Sequence, residues 1–167
     1  MFKRLFSPGL IGKMEVKNRL VMAPMATSSH GVEGFVTEQT ACYYQERAKG
    51  GVGLIVAQSS ACLREGRSPG RPGTWDDKFI PGLKKVADAV HECGGRIAWQ
   101  VVYHGKLLTG WLDRIPWRDE TKVIGPSAIP WVRTGIAPKE ATKEDVGSPW
   151  FYVFMVFCMF FKSKQIL

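Results

Sequence analysis

An apolar run at positions 20–23, bounded by Asn18 and Pro24, reads as a short buried strand over 19–23. The period then changes. Over 37–49, Ala41, Tyr44 and Ala48 recur at helical spacing, Thr37 can cap, Glu38 and Gln39 sit in the first turn, and Gly50-Gly51 ends the helix. Residues 52–57 are again continuously apolar and predict a second strand, followed by a loop rich in Gly, Pro and Arg over 64–73. Residues 79–93 predict a second helix. Leu83, Val86, Ala87 and Val90 share one face, Gly94-Gly95 close it, and Pro81 falls in the first turn, where a missing N–H costs little. Residues 96–102 predict a third strand, and Thr142 with Glu144 and Asp145 predicts a capped helix start at 142–146.

Strands alternating with amphipathic helices imply parallel strands and an α/β fold, as an open sheet or a barrel. Loop lengths separate the two. Those after the strands (24–36, 58–78 and 103–125) are long, and those after the helices are short. Long loops at the carboxyl ends of parallel strands are where a (β/α) barrel assembles its site. No G-x-G-x-x-G follows a strand; the glycines at 53, 66, 70 and 73 have other spacings, so a Rossmann dinucleotide site has no support.

The 167 residues suffice for one domain, with 45% hydrophobic and 23% charged residues, ordinary for a folded protein. A net charge of +8 raises the question of nucleic acid. Acids are interspersed with the basic residues, and no zinc-finger, RNP or KH pattern occurs, so nucleic acid is not an expected partner. The surplus suits a surface that favours anionic ligands. The cysteines at 42, 62, 93 and 158 form no C-x-x-C pair and have no histidine at zinc spacing, so no metal site is expected. Cys42 and Cys93 fall within helical patterns and read as small core residues. His30 and His91 have no partner in the pattern and read as surface residues. The segment MFKRLFSPGL lacks the apolar stretch of a secretory signal, which points to a reducing, cytoplasmic setting.

Five motifs in order carry a resemblance. They are NRLVMAPM (18–25), GFVTEQTACYYQERAKGGVGLIV (34–56), Gln100 at the end of the third strand, GPSAIP (125–130) and PKEATKED (138–145). Together they resemble the Old Yellow Enzyme family of FMN-dependent NAD(P)H:flavin oxidoreductases, nearest its enoate and dienoyl-CoA reductase branch. The resemblance implies a partial (β/α)8 TIM barrel, roughly its first three to four βα units, with FMN at the carboxyl ends of the strands. It also implies NAD(P)H as hydride donor and a small-molecule enone or enoyl substrate. An iron–sulfur cluster and FAD enter only if the full-length parent is of the long branch. The positions matching the family's FMN contacts are Pro24, Met25, Ala26, Ser59 and Gln100. Pro24 fixes the turn after the first strand. Ser59, flanked by Gln58 and Ser60, is small enough to let the backbone reach a flavin, and the Gln100 amide offers donors and an acceptor to a pyrimidine edge. The family often has Thr or Cys where Ala26 stands; Ala26 offers no hydrogen bond, and Thr27 is one position later. His104 lies one place later than the histidine of the family's H-x-G-R-like stretch and Lys106 replaces its arginine, so His104 reads as a solvated loop residue. Trp111, Trp117 and Trp131 either line a substrate mouth or pack under the third long loop.

The catalytic residues the resemblance implies lie beyond these motifs, so none is assigned. A full barrel takes roughly 250 residues. Residues 1–146 read as the amino-terminal part of the FMN-binding barrel, and 147–167 as an aberrant apolar tail in which PWFYVFMVFCMFF (149–161) has no polar face. At that length a helix is too short to span a membrane. A shifted reading frame, a short tail docked on an open sheet edge and a membrane-associating tail all remain open. The chain alone is expected to be inactive. The alternative reading is a non-catalytic truncated product whose tail drives aggregation or membrane association.

Overall fold

The computed structural model describes residues 2–31, 33–114, 123–147 and 157–160. It opens with an antiparallel hairpin of β1 (Gly9–Ile11) and β2 (Met14–Val16). Strand and helix then alternate: β3 (Val21–Met22), α1 (Glu38–Lys49), β4 (Leu54–Ala61), α2 (Ile80–Glu92) and β5 (Arg96–Val102). The short elements β6 (Ile124–Gly125), β7 (Lys139–Glu140), α3 (Lys143–Gly147) and β8 (Phe157–Phe160) follow. The main sheet has the order β3-β4-β5-β8. Its first three strands are parallel, as the alternation with helices demands, and β8 adds antiparallel to the edge of β5.

One core joins this sheet to its two helices. Ala41, Tyr44 and Ala48 from α1 and Leu83, Val86, Ala87 and Val90 from α2 pack on Ile55 and Ala57 of β4 and Ile97 and Trp99 of β5. These are the apolar faces the sequence periodicity predicts. Thr37 caps α1, its hydroxyl accepting from the Thr40 N–H at 3.3 Å. Lys17 Nζ donates to the carbonyls of Ala48 at 3.3 Å and Cys93 at 3.0 Å, placing one cation at the carboxyl ends of both helices. Asn18 ties the entry of β3 to the turn before β4: its Nδ2 donates to the Gly51 carbonyl at 2.7 Å, and its Oδ1 accepts from the Leu20 N–H at 3.0 Å. Gly53 is required there, since a Cβ would lie 2.6 Å from both Asn18 oxygens. At α3, Thr142 and Asp145 exchange side-chain and backbone hydrogen bonds of 2.8 to 3.1 Å, the predicted cap.

Several expectations are corrected. The first strand is shorter than 19–23, and β4 runs four residues further than expected, to Ala61. Polar Gln58, Ser59 and Ser60 hid the continuation, because the sheet buries them as fully as its apolar positions. The third long loop contains a 3-10 stretch, Gly105–Arg114. Within the aromatic run, Phe157–Phe160 is a strand rather than part of an apolar helix, in keeping with the β preference of aromatic residues beside an open sheet edge. Cys42 is exposed, since it sits beside the buried stripe of α1 rather than on it, while Cys93 packs against the core. Trp117 and the rest of the aromatic run lie outside the described residues. Among the described residues, no helix is long and apolar enough to cross a membrane.

Candidate functional site

The carboxyl ends of β3, β4 and β5 lie side by side, and the candidate residues collect there. Directly after β3, Pro24, Met25 and Ala26 form an exposed connecting segment, with Met25 50% exposed. On β4, Ile55 and Ala57 face the helices, and strand alternation alone would send Ser59 the same way. A bulge between Ala57 and Ser59 resets the phase, so that Ser59 pairs with Gln100 rather than continuing the helix-facing row. Ile97 and Trp99 carry the helix-facing row of β5, so Gln100 belongs to the opposite face, and Ser59 now shares it. Among the described residues the Gln100 side-chain amide has no hydrogen-bond partner, while its backbone carbonyl accepts from Ser60 Oγ at 2.9 Å. The result is an exposed turn beside a small hydroxyl and an uncommitted amide, all at one end of a parallel sheet.

A buried hydrogen-bonded network supports this turn. Gln58 is fully buried. Its backbone N–H donates to Tyr44 Oη at 2.9 Å, and its Oε1 accepts from the Thr27 backbone N–H at 2.8 Å. That N–H can only donate, so the amide orientation is determined, and Gln58 Nε2 must donate to His30 Nδ1, 2.6 Å away. His30 is then the neutral Nε2–H tautomer, facing Thr40 Oγ1 at 3.4 Å. Ser29 Oγ, 2.7 Å from Thr27 Oγ1 and 3.1 Å from Thr40 Oγ1, closes the ring.

The electrostatics agree. Burial, and secondarily the Arg71 cation, lower the His30 pKa to about 4, with the Gly70 backbone opposing. Burial raises Tyr44 to about 12, so its phenol remains protonated. Burial also holds the His104 ring below the usual imidazole range, and pushes up the Cys62 thiol and the Tyr103 phenol.

His30 therefore is not the expected surface residue, because the Gln58 amide and the Thr40 hydroxyl give its two ring nitrogens buried partners. His91 is half-buried on α2, and His104 is half-buried with its ring edge-on to Trp111 at 5.5 Å, not solvated. Trp131 packs against the 3-10 stretch at Gly110. Gln58, His30, Thr40 and Tyr44 were missed as a unit. The available signal was polar residues at the end of an apolar strand, which only the bulge converts into an inward pair and a clamp. Among the described residues, no group of His, Cys, Asp and Glu could hold a metal ion.

The sequence profile of the NADH:flavin oxidoreductase / NADH oxidase family matches residues 4–146. The chain is 38% identical over 142 residues to a metal reductase of Desulforamulus reducens, covering 85% of this chain and 20% of that protein. It is 36% identical over 144 residues to an NADPH dehydrogenase of a Geobacillus species, covering 85% of this chain and 40% of the relative. The fold resembles the solved old yellow enzyme homologue from Zymomonas mobilis with a TM-score of 0.69 and 27% identity, covering 85% of this chain and 41% of that one. The chain thus spans less than half the length of these relatives.

Proposed function

The chain belongs to the NADH:flavin oxidoreductase / NADH oxidase family, and on that premise we propose that it supplies the first three to four βα units of an FMN-dependent NAD(P)H oxidoreductase barrel. One observation supports this most: the β4 bulge that gives Ser59 and Gln100 a common face beside the exposed Pro24–Met25–Ala26 turn. The residues fit a flavin. The turn offers a flat apolar flank, Ser59 is too small to obstruct an approaching ring, and the free Gln100 amide can both donate and accept along a pyrimidine edge. The surplus of positive charge suits anionic FMN and NAD(P)H.

When bound, FMN supplies the hydride relay between NAD(P)H and an activated C=C of an enone or enoyl substrate. The chain's own residues bind and orient. Gln100 sets the edge of the ring, Pro24 and Met25 cover its flank, and Ser59 leaves the space it fills. Ala26 adds no side-chain hydrogen bond, so polar tuning of the ring from this position is left to the backbone.

Titration of FMN with the purified chain, followed by quenching of flavin fluorescence, tests the proposal. Saturable quenching is expected. Gln100→Leu should weaken it about tenfold, the equivalent of one or two lost hydrogen bonds. Absence of saturable quenching, or an unchanged Gln100→Leu, would overturn it.

A further inference from the structure

The turn Pro24–Met25–Ala26 lies outside β3, and its side chains are exposed, so packing does little to hold it. What holds it is the next residue. The Thr27 N–H is tied to Gln58 Oε1 at 2.8 Å, from one turn-bearing loop to the interior of the neighbouring strand. Gln58 can accept there only while its amide keeps one orientation, because the flipped amide would set an NH2 group against an N–H. His30 enforces that orientation by accepting from Nε2 at 2.6 Å, and Thr40 on α1 meets the far side of the imidazole at 3.4 Å. Gln58 and Thr40 are fully buried and His30 is 6% exposed, so water does not compete for these bonds. The line of contacts runs from the rigid helix α1 through His30 and Gln58 to the backbone that leads out of the turn.

Resting on the flavin reading above, we infer that Gln58 and His30 are positioning residues for the flavin-facing turn: Gln58 fixes where Pro24–Met25–Ala26 sits over the ends of β3 and β4, and His30 fixes the orientation of Gln58. Neither touches the flavin. Their contribution is preorganisation, so their loss leaves the contact residues in place but lets them wander, and the ordering is then charged to binding.

The test uses the full chain with two readouts. Amide hydrogen exchange at Thr27 reports the clamp without FMN, and FMN titration reports its consequence. Gln58→Met keeps the volume but can neither accept from Thr27 nor donate to His30. It should speed Thr27 exchange at least tenfold and weaken FMN binding about tenfold, as expected for one neutral hydrogen bond. His30→Leu should act in the same direction. His30→Gln, whose amide can accept from Gln58 and donate to Thr40, should restore both readouts to within about twofold. Val86→Ala, on the buried face of α2, controls for stability and should leave the FMN affinity unchanged. A wild-type chain that binds no FMN overturns the flavin reading and the inference with it. Wild-type binding with unchanged affinity in Gln58→Met, or failure of His30→Gln to restore what His30→Leu loses, overturns the positioning role alone.

Discussion

Protonating His30 is the severest perturbation of the closed network. Its Nδ1 already accepts from Gln58 Nε2 at 2.6 Å, so an added proton would face a donor, and the imidazolium would be buried near the Arg71 cation. Burial and Arg71 place its folded pKa at about 4, against an ordinary 6.5. The folded value is the lower one, so between these pH values the unfolded chain binds more protons. Stability that is full above about pH 6.5 is therefore lost as the pH falls toward 4. Linkage gives a loss of about 2 kcal/mol at pH 5 and about 3 kcal/mol at pH 4, relative to pH 7.5. With a urea m-value of about 2 kcal/mol/M, the unfolding midpoint should drop by about 1 M between pH 7.5 and pH 5. Burial also lowers His91 and His104, so they contribute acid sensitivity of the same sign. The decisive quantity is therefore the difference between wild type and His30→Gln, which keeps the bonds but cannot ionise. Urea unfolding followed by tryptophan fluorescence at the two pH values should show wild type losing about 2 kcal/mol more than the variant. Equal losses, or a His30 ring proton that titrates near 6.5 by NMR, would refute the reasoning.

Other outcomes follow from the packing. Gly53→Ala places a Cβ 2.6 Å from two oxygens of Asn18 and should destabilise the fold in a thermal melt by roughly 2 kcal/mol or more. Tyr44→Phe leaves the buried Gln58 N–H without its acceptor and should cost about 1–3 kcal/mol in urea unfolding. Glu38→Gln breaks the ion pair with Lys85 that links α1 to α2, but both side chains are largely exposed, so the change should stay within about 0.5 kcal/mol. Ser59→Leu should abolish saturable FMN quenching and, because Ser59 is buried, should also lower the urea unfolding midpoint by the equivalent of about 1–3 kcal/mol.

The periodicity of Leu83, Val86, Ala87 and Val90, and of Ala41, Tyr44 and Ala48, made both helices and their buried faces legible, because an amphipathic stripe is written directly in the spacing. The third strand was legible because β-formers dominate 96–102 directly after the Gly94-Gly95 break that ends the helix. The end of β4 was not, because Gln58, Ser59 and Ser60 look like a loop until a partner strand satisfies their backbone. The candidate site was half legible. Pro24, Met25, Ala26, Ser59 and Gln100 could be named, but the bulge that gives Ser59 and Gln100 one face depends on pairing with a strand some forty residues away. His30 was misread because a histidine's burial is decided by groups on other elements, here Gln58 and Thr40. Cys42 was misread because it lies one position off the buried stripe of α1.

The flavin face at the carboxyl ends of β3, β4 and β5 is tested most directly by residue-resolved NMR of the chain titrated with FMN. The backbone amides of Met25, Ala26 and Ser59 and the side-chain amide of Gln100 should shift together along one saturable curve. Shifts confined to another surface, such as the outer groove between α1 and α2 around Cys42 and Lys84, or no saturable shift at all, would contradict it.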